Sequence, residues 1–267
     1  MILQSCRVHN SCTAFMIQKD PKCRLDILLL ERGLVSSREQ ARGLIMGGKV
    51  LVDGTRIEKP GKDISRSAIL EIKEPLPYVS RGGIKLAAAL DEFGIDPAGL
   101  SILDAGASTG GFTDCLLQRD ATRIVAVDVG YGQFHWKLRI DPRVRLIERT
   151  NIRHLKLASL GEHIDAAVAD LSFISLKLVF SKIAEILPRG SWFVPLVKPQ
   201  FEVGRLEVGK HGVVRDSDAI AAAVANVRTA AVNSGFEVLN QIESPLRGPK
   251  GNHEFLLHLM LTSKAYF

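Results

Sequence analysis

From residue 78 onward, short apolar runs at 102–103, 124–127, 144–147, 166–168, 192–197, 235–239 and 255–261 alternate with stretches of helical periodicity. That alternation restricts the fold more than any other feature, because strands separated by helices bury both faces of one parallel sheet. The predicted class is α/β, a doubly wound sheet. Segment 244–252 carries proline and glycine without a helical pattern. The last run, 255–261, is therefore expected to return antiparallel beside its neighbour.

Ahead of this region the pattern changes. Leu25, Leu28, Leu29 and Leu34 lie at near-helical spacing with Gly33 as a stop. Ser36 or Ser37 can cap a second helix that shares Ala41, Leu44 and Ile45 on one face and ends at Gly47-Gly48. A strand from Lys49 into an Asp53-Gly54 turn and another over 67–73 complete a small α+β domain, 24–74. Glu74-Pro75-Leu76-Pro77 is incompatible with a helix, so 75–80 reads as a linker and 81–267 as the larger domain. Arg38, Arg42 and Lys49 form a basic face suited to phosphates. The order Arg24-Leu25-Asp26, Ser36-Ser37-Arg38-Glu39-Gln40-Ala41 and 48–54 (GKVLVDG) resembles the RNA-binding domain of ribosomal small-subunit protein four.

Residues 1–23 are expected to form a poorly ordered tail that holds three of the four cysteines, Cys6, Cys12 and Cys23, with Cys115 further on. Such sparse cysteines exclude a disulfide framework, and no Cys-x-x-Cys pair indicates zinc. No run approaches the ~18 apolar residues of a membrane helix, and no basic start leads into an export signal. The expected location is cytoplasmic. Lys plus Arg exceed Asp plus Glu by 35 to 29, a net +6 that favours a polyanionic partner.

The segment Asp104-Ala105-Gly106-Ala107-Ser108-Thr109-Gly110-Gly111-Phe112 joins a predicted strand to a predicted helix, and its small residues let a ligand approach the backbone. Its glycine spacing is neither the dinucleotide Gly-x-Gly-x-x-Gly nor a phosphate-binding Gly-Lys-Ser/Thr. Asp128, closing the 124–127 run, is placed to accept both hydroxyls of a ribose. Without a pyrophosphate cradle, S-adenosylmethionine fits better than NAD. Asn151 can reach an adenine edge, or serve only its own turn.

Lys85, Asp170, Lys198 and Glu254 stand at the mouths of elements expected to converge on one sheet edge. Two lysines and two carboxylates at one edge can hold a substrate and manage one proton during group transfer. Lys198 can take that proton or remain charged beside a developing anion, with Asp170 and Glu254 orienting the lysines. The glycine-bearing loop 201–215, with Arg205, Lys210, His211 and Arg215, suits a lid over RNA or a plain surface loop. His211 and His253 lack partners at ligand spacing, and no metal is expected.

The runs 79–86 (VSRGGIKL), 128–133 (DVGYGQ), 148–151 (ERTN), 169–176 (ADLSFISL), 197–204 (VKPQFEVG) and 251–255 (GNHEF) resemble the TlyA family of ribosomal RNA 2'-O-methyltransferases, whose catalytic domain is similar to FtsJ. The resemblance implies a Rossmann-like S-adenosylmethionine-dependent methyltransferase sheet with a reversed strand near its end. It also implies Lys85, Asp170, Lys198 and Glu254 as the catalytic set, and a cytidine ribose in rRNA, within a ribosomal subunit, as substrate. Arg24, Arg38, Arg42, Lys49, Arg81, Arg205 and Lys210 are the expected RNA contacts. Three other readings compete. An NAD-dependent oxidoreductase is disfavoured by the glycine spacing. A cytolysin, named because the family includes hemolysin-labelled members, is tested by liposome dye release. A non-catalytic RNA-binding assembly factor is tested by turnover.

Overall fold

The computed structural model describes residues 21–73, 77–204 and 207–263. The chain divides into two compact units, Met1–Pro75 and Leu76–Phe267. In the first, strand β1 (Lys22–Arg24) leads directly into helix α1 (Leu25–Glu31), so Cys23, expected in the tail, belongs to a strand. Cys6 and Cys12 lie outside the described residues. Helix α2 (Arg38–Met46) is capped reciprocally: Gln40 N donates to Ser37 Oγ at 3.1 Å, while Gln40 Oε1 accepts from Ser36 N at 2.9 Å. The two helices bury Leu25, Leu28, Leu29, Ala41 and Ile45 together.

Strand β2 (Val50–Val52) turns through Asp53 (φ 48) and Gly54 (φ 74) into β3 (Thr55–Arg56), the two left-handed residues that a tight hairpin of this hand requires. β4 (Asp63–Ser65) pairs with β1, and β5 (Leu70–Ile72) pairs with β2, both antiparallel. The expected single strand over 67–73 is thus shorter, and β4 was not anticipated. Ser65 explains the difference: its Oγ and carbonyl accept from Ser67 N and Ala68 N, bending the chain between the strands.

The second unit is built on one seven-stranded sheet, ordered β11-β12-β10-β9-β6-β7-β8. After helix α3 (Arg81–Phe93) come β6 (Ser101–Ala105), helix α4 (Gly111–Gln118), β7 (Arg123–Val127), the short helix α5 (Trp136–Arg139) and β8 (Val144–Ile147). Then follow β9 (Ala166–Ala169), helix α6 (Phe180–Ile186), β10 (Trp192–Val197), helix α7 (Ser217–Asn233), β11 (Phe236–Glu243) and β12 (Phe255–Leu261). β12 runs antiparallel to both β10 and β11, whereas the pairs from β10 to β8 are parallel.

Alternate residues feed opposite faces, as the pleat demands. Leu103, Val125, Ala167 and Phe193 join a core with α6 and α7, while Ile102, Ile124, Val168 and Val194 join a core with α3 and α4. Phe180, Phe193 and Phe236 lock the first core with ring centroids 5.8 to 6.2 Å apart. The chain runs β6-β7-β8 in one direction and returns to β9 on the other side of β6. This reversal opens a crevice at the carboxyl ends of β6 and β9, the place where sheets of this kind bind ligands.

Candidate active site

The turn after β6 crosses the end of β7, with Gly106 N and Ala107 N both donating to Val127 O. Gly106 takes φ +86, and a β-carbon there would stand 2.6 Å from the Asp170 carbonyl oxygen, so only glycine lets the two strand ends meet. At Gly111 a β-carbon would meet Ser80 Oγ at 2.1 Å and Gly83 N at 2.9 Å. The start of α4 is thereby pressed against that of α3, which carries Lys85.

Two cavities open beside this turn. One, of about 690 Å³, is lined by Ser108, Asp128, Gln133, Asn151 and Ile152. Asp128 is fixed at its mouth, accepting from Ser108 N at 2.7 Å, Gly130 N at 2.6 Å and Gln133 Nε2 at 3.1 Å. Asn151 faces the same cavity, although its Oδ1 already accepts from Arg153 N at 3.1 Å.

The other cavity, of about 420 Å³, is lined by Lys85, Asp170, Lys198 and Glu254 together, with Ala107, Thr109, Gly111 and Phe112 along the turn. Gly106, Ser108 and Asp170 belong to both cavities, so a positively charged group bridging them meets a carboxylate. The four polar residues form two ion pairs. Lys85 Nζ is hydrogen-bonded to Glu254 Oε2, with the side chains only 8% and 1% exposed. Lys198 Nζ lies 2.5 Å from Asp170 Oδ1 and donates to Ser172 Oγ at 3.0 Å, nearer the opening. A third space of about 350 Å³, walled by Phe173, Gln200 and Phe201, adjoins the second through Lys198, Pro249 and Glu254.

Two residues expected to touch cofactor sit elsewhere. Asp104 is fully buried, lines neither cavity and accepts from Thr113 Oγ1 at 2.6 Å. Burial, with smaller contributions from the Asp170 and Asp128 carboxylates, pushes its carboxyl up to about 7. Gly110 also misses both cavities. It takes φ +96, and a β-carbon there would stand 2.4 Å from Leu138 and 3.0 Å from Phe134, so glycine is needed for the turn and for close packing.

Of the expected RNA contacts, Arg24 and Arg38 both bind the buried Asp26, at 3.0 and 2.9 Å, and the Arg24 hydrogen bond above all holds that carboxyl down to about 2. Their donors therefore serve the N-terminal unit's core as well as its surface. Arg42 and Lys210 are exposed and Lys49 is half-buried, Arg81 donates to Arg247 O at 2.7 Å beside the 420 Å³ cavity, and Arg205 lies outside the described residues. Among the described residues no group of three or more His, Cys, Asp or Glu can hold a metal, and no helix is long and apolar enough to cross a membrane. Sequence reasoning missed three polar residues inside the quoted motifs: Ser172 and Glu202, whose partners lie 26 or 27 residues away, and Gln133, whose partner Asp128 is in the same motif.

The FtsJ-like methyltransferase family matches residues 78–261, and the S4 domain matches 23–70. The 16S/23S rRNA (cytidine-2'-O)-methyltransferase TlyA of Mycobacterium tuberculosis is 48% identical over 89% of this chain and 90% of that protein. Hemolysin A of Brachyspira hyodysenteriae is 38% identical over 89% of this chain and 100% of its own. A solved structure of a hemolysin-labelled protein from Streptococcus thermophilus superposes with a TM-score of 0.71 at 44% identity, covering 92% of this chain and 90% of that one. With this fold and these matches, the chain belongs to the FtsJ-like methyltransferase family and uses S-adenosylmethionine, with an S4 domain preceding its catalytic unit.

Proposed function

We propose that the protein methylates the 2'-hydroxyl of a cytidine in ribosomal RNA, on a ribosomal subunit gripped in part by its S4 domain. The observation that carries this reading is the pair of lysine–carboxylate couples in one cavity, beside a second cavity that presents Asp128. When bound, S-adenosylmethionine supplies a methyl carbon already activated by its sulfonium.

Asp128 is positioned to accept ribose hydroxyls of the cofactor, and Asp170 borders the passage between the cavities. Lys198, tethered by Asp170 and Ser172, meets the RNA hydroxyl. The Lys198–Asp170 ion pair would take the hydroxyl proton as the methyl–sulfur bond breaks, the methyl–oxygen bond forms and S-adenosylhomocysteine leaves. The deeper Lys85–Glu254 couple fixes the cavity floor and keeps the charge of the site balanced.

The test maps ribose methylation on rRNA from a strain lacking the protein, then restores the protein or its Lys198→Ala variant. The expected result is loss of methylation at one or more cytidines, recovery with the wild type alone, and cofactor affinity of the variant within a few-fold of wild type. Full turnover by Lys198→Ala would remove that residue from the mechanism. An unchanged methylation map would remove rRNA from the reading.

A further inference from the structure

The main-chain pairing of β9 with β10 ends at Ala169 and Pro195, yet the loops that leave these strands remain joined by side chains. Lys198 reaches Asp170 and Ser172. The rings of Phe201 and Phe173 lie 5.3 Å apart. Furthest along, Glu202 Oε2 accepts from Ser175 Oγ at 2.5 Å and Oε1 accepts from Leu176 N at 2.8 Å. These contacts extend the strand pairing past the edge of the sheet, with Glu202 as the last of them.

Glu202 is buried at 8% exposure, and among the described residues it has no ion-pair partner. Burial pushes its carboxyl above the usual carboxylate range. A lone buried carboxylate weakens a fold unless its hydrogen bonds are needed, and both of these go to the opposite loop. That loop has to be held, because Phe173 within it adopts φ +64, a left-handed conformation that side chains other than glycine's avoid, and is 91% exposed. Such backbone persists only where the surroundings dictate it. Asp170 fixes one end of the strained stretch and the Glu202 contacts fix the other.

We infer that Glu202 is a positioning residue for methyl transfer, clamping loop 170–176 to the loop that carries Lys198 and so setting where Asp170 and Ser172 hold the Lys198 ammonium. The inference rests on the methyl-transfer reading of the site. Glu202 itself lines none of the three cavities around the turn, so it acts on Lys198 through the two loops.

The test uses the full chain with its rRNA substrate, S-adenosylhomocysteine as the cofactor-site probe, and four variants. Because misplacement of a reacting group by about 1 Å costs on the order of a hundredfold, Glu202→Ala is expected to lower kcat roughly 10- to 100-fold. Its affinity for S-adenosylhomocysteine should stay within about twofold, since Asp128 and the glycine turn are untouched. Glu202→Gln can still accept from Leu176 N and bond Ser175 Oγ, so it should recover to within about threefold of wild type.

Ser175→Ala removes one contact without emptying a buried site and should lower kcat about 3- to 10-fold. Combined with Glu202→Ala it should add nothing, because both changes break the same clamp. If Glu202→Ala does not fold, Ser175→Ala and Glu202→Gln carry the test. A kcat within twofold of wild type for Glu202→Ala, or for Ser175→Ala where that variant stands alone, overturns the clamp. So does equal impairment of the Gln and Ala variants, or additivity in the double variant. A wild-type enzyme with no activity on rRNA overturns the methyl-transfer reading instead.

Discussion

Replacing Glu254 by Gln removes a charge while leaving the side chain's shape. Lys85 would then hold an ammonium at 8% exposure with no carboxylate beside it, because among the described residues its ion-pair partner is Glu254. Breaking one member of a buried ion pair costs about 3–5 kcal/mol, since the remaining charge stays desolvated and unpaired. For a unit of this size each kcal/mol lowers the melting temperature by about 2–4 °C, so Glu254→Gln should lower it by about 6–20 °C. The Asp170–Lys198 couple is a contrast within the same cavity: Asp170 is 25% exposed, and Asp170→Asn should cost about 1 kcal/mol. Replacing both buried partners, Lys85→Met with Glu254→Leu, should return stability to within about 1 kcal/mol of wild type while abolishing turnover. Urea unfolding followed by tryptophan fluorescence reads the right unit, because both tryptophans, Trp136 and Trp192, lie in it. A loss below about 1 kcal/mol for Glu254→Gln, or a double variant no more stable than the single one, would refute the claim that this couple is desolvated.

Asp104 gives a pH dependence of opposite sign to that of an exposed carboxylate. Its carboxyl stands near 7 when folded against an ordinary value of 3.8, so the folded state holds the extra proton and stability falls as pH rises from about 4 through 7. Asp104→Asn should flatten that slope in urea titrations at several pH values and be the more stable protein at pH 8; an unchanged slope would locate the titrating group elsewhere. Gly106→Ala places a β-carbon 2.6 Å from the Asp170 carbonyl at φ +86, and should weaken S-adenosylhomocysteine binding by at least about tenfold in calorimetry while the S4 unit stays folded.

Strand periodicity and the glycine turn made the larger fold and the floor of its site readable from sequence. Apolar runs at 102–103, 124–127 and 166–168 correspond to β6, β7 and β9, and Gly106, Asp128 and Asp170 beyond their ends line the crevice. What periodicity does not report is which side of a turn a residue serves. Asp104 and Gly110 sit in the glycine turn and read as cofactor contacts, but Asp104 is spent on Thr113 and Gly110 on the close packing of Leu138 and Phe134. Arg24 and Arg38 read as RNA contacts, Arg38 on a basic face with Arg42 and Lys49, because nothing local reveals that Asp26 is buried between the two arginines. Glu202 was invisible for the same reason, its partners lying 26 and 27 residues away.

The reversed strand is what completes the site. In a parallel sheet every strand delivers its last residue to the carboxyl edge, as β9 delivers Asp170 and β10 delivers Lys198. An antiparallel strand instead begins at that edge, so the residue before β12 arrives where the residue after β10 departs. Val197 pairs with Phe255, which sets Lys198 and Glu254 side by side as they leave the sheet. Were β12 parallel, Glu254 would emerge at the opposite edge, a strand length of roughly 20 Å away. Lys85 then needs no strand at all: Leu86, Ala89 and Leu90 bury α3 against the sheet, and the residue before Leu86 turns inward to Glu254. One strand reversal and one helix face thus gather a lysine at position 85 and a carboxylate at position 254 around a single cavity.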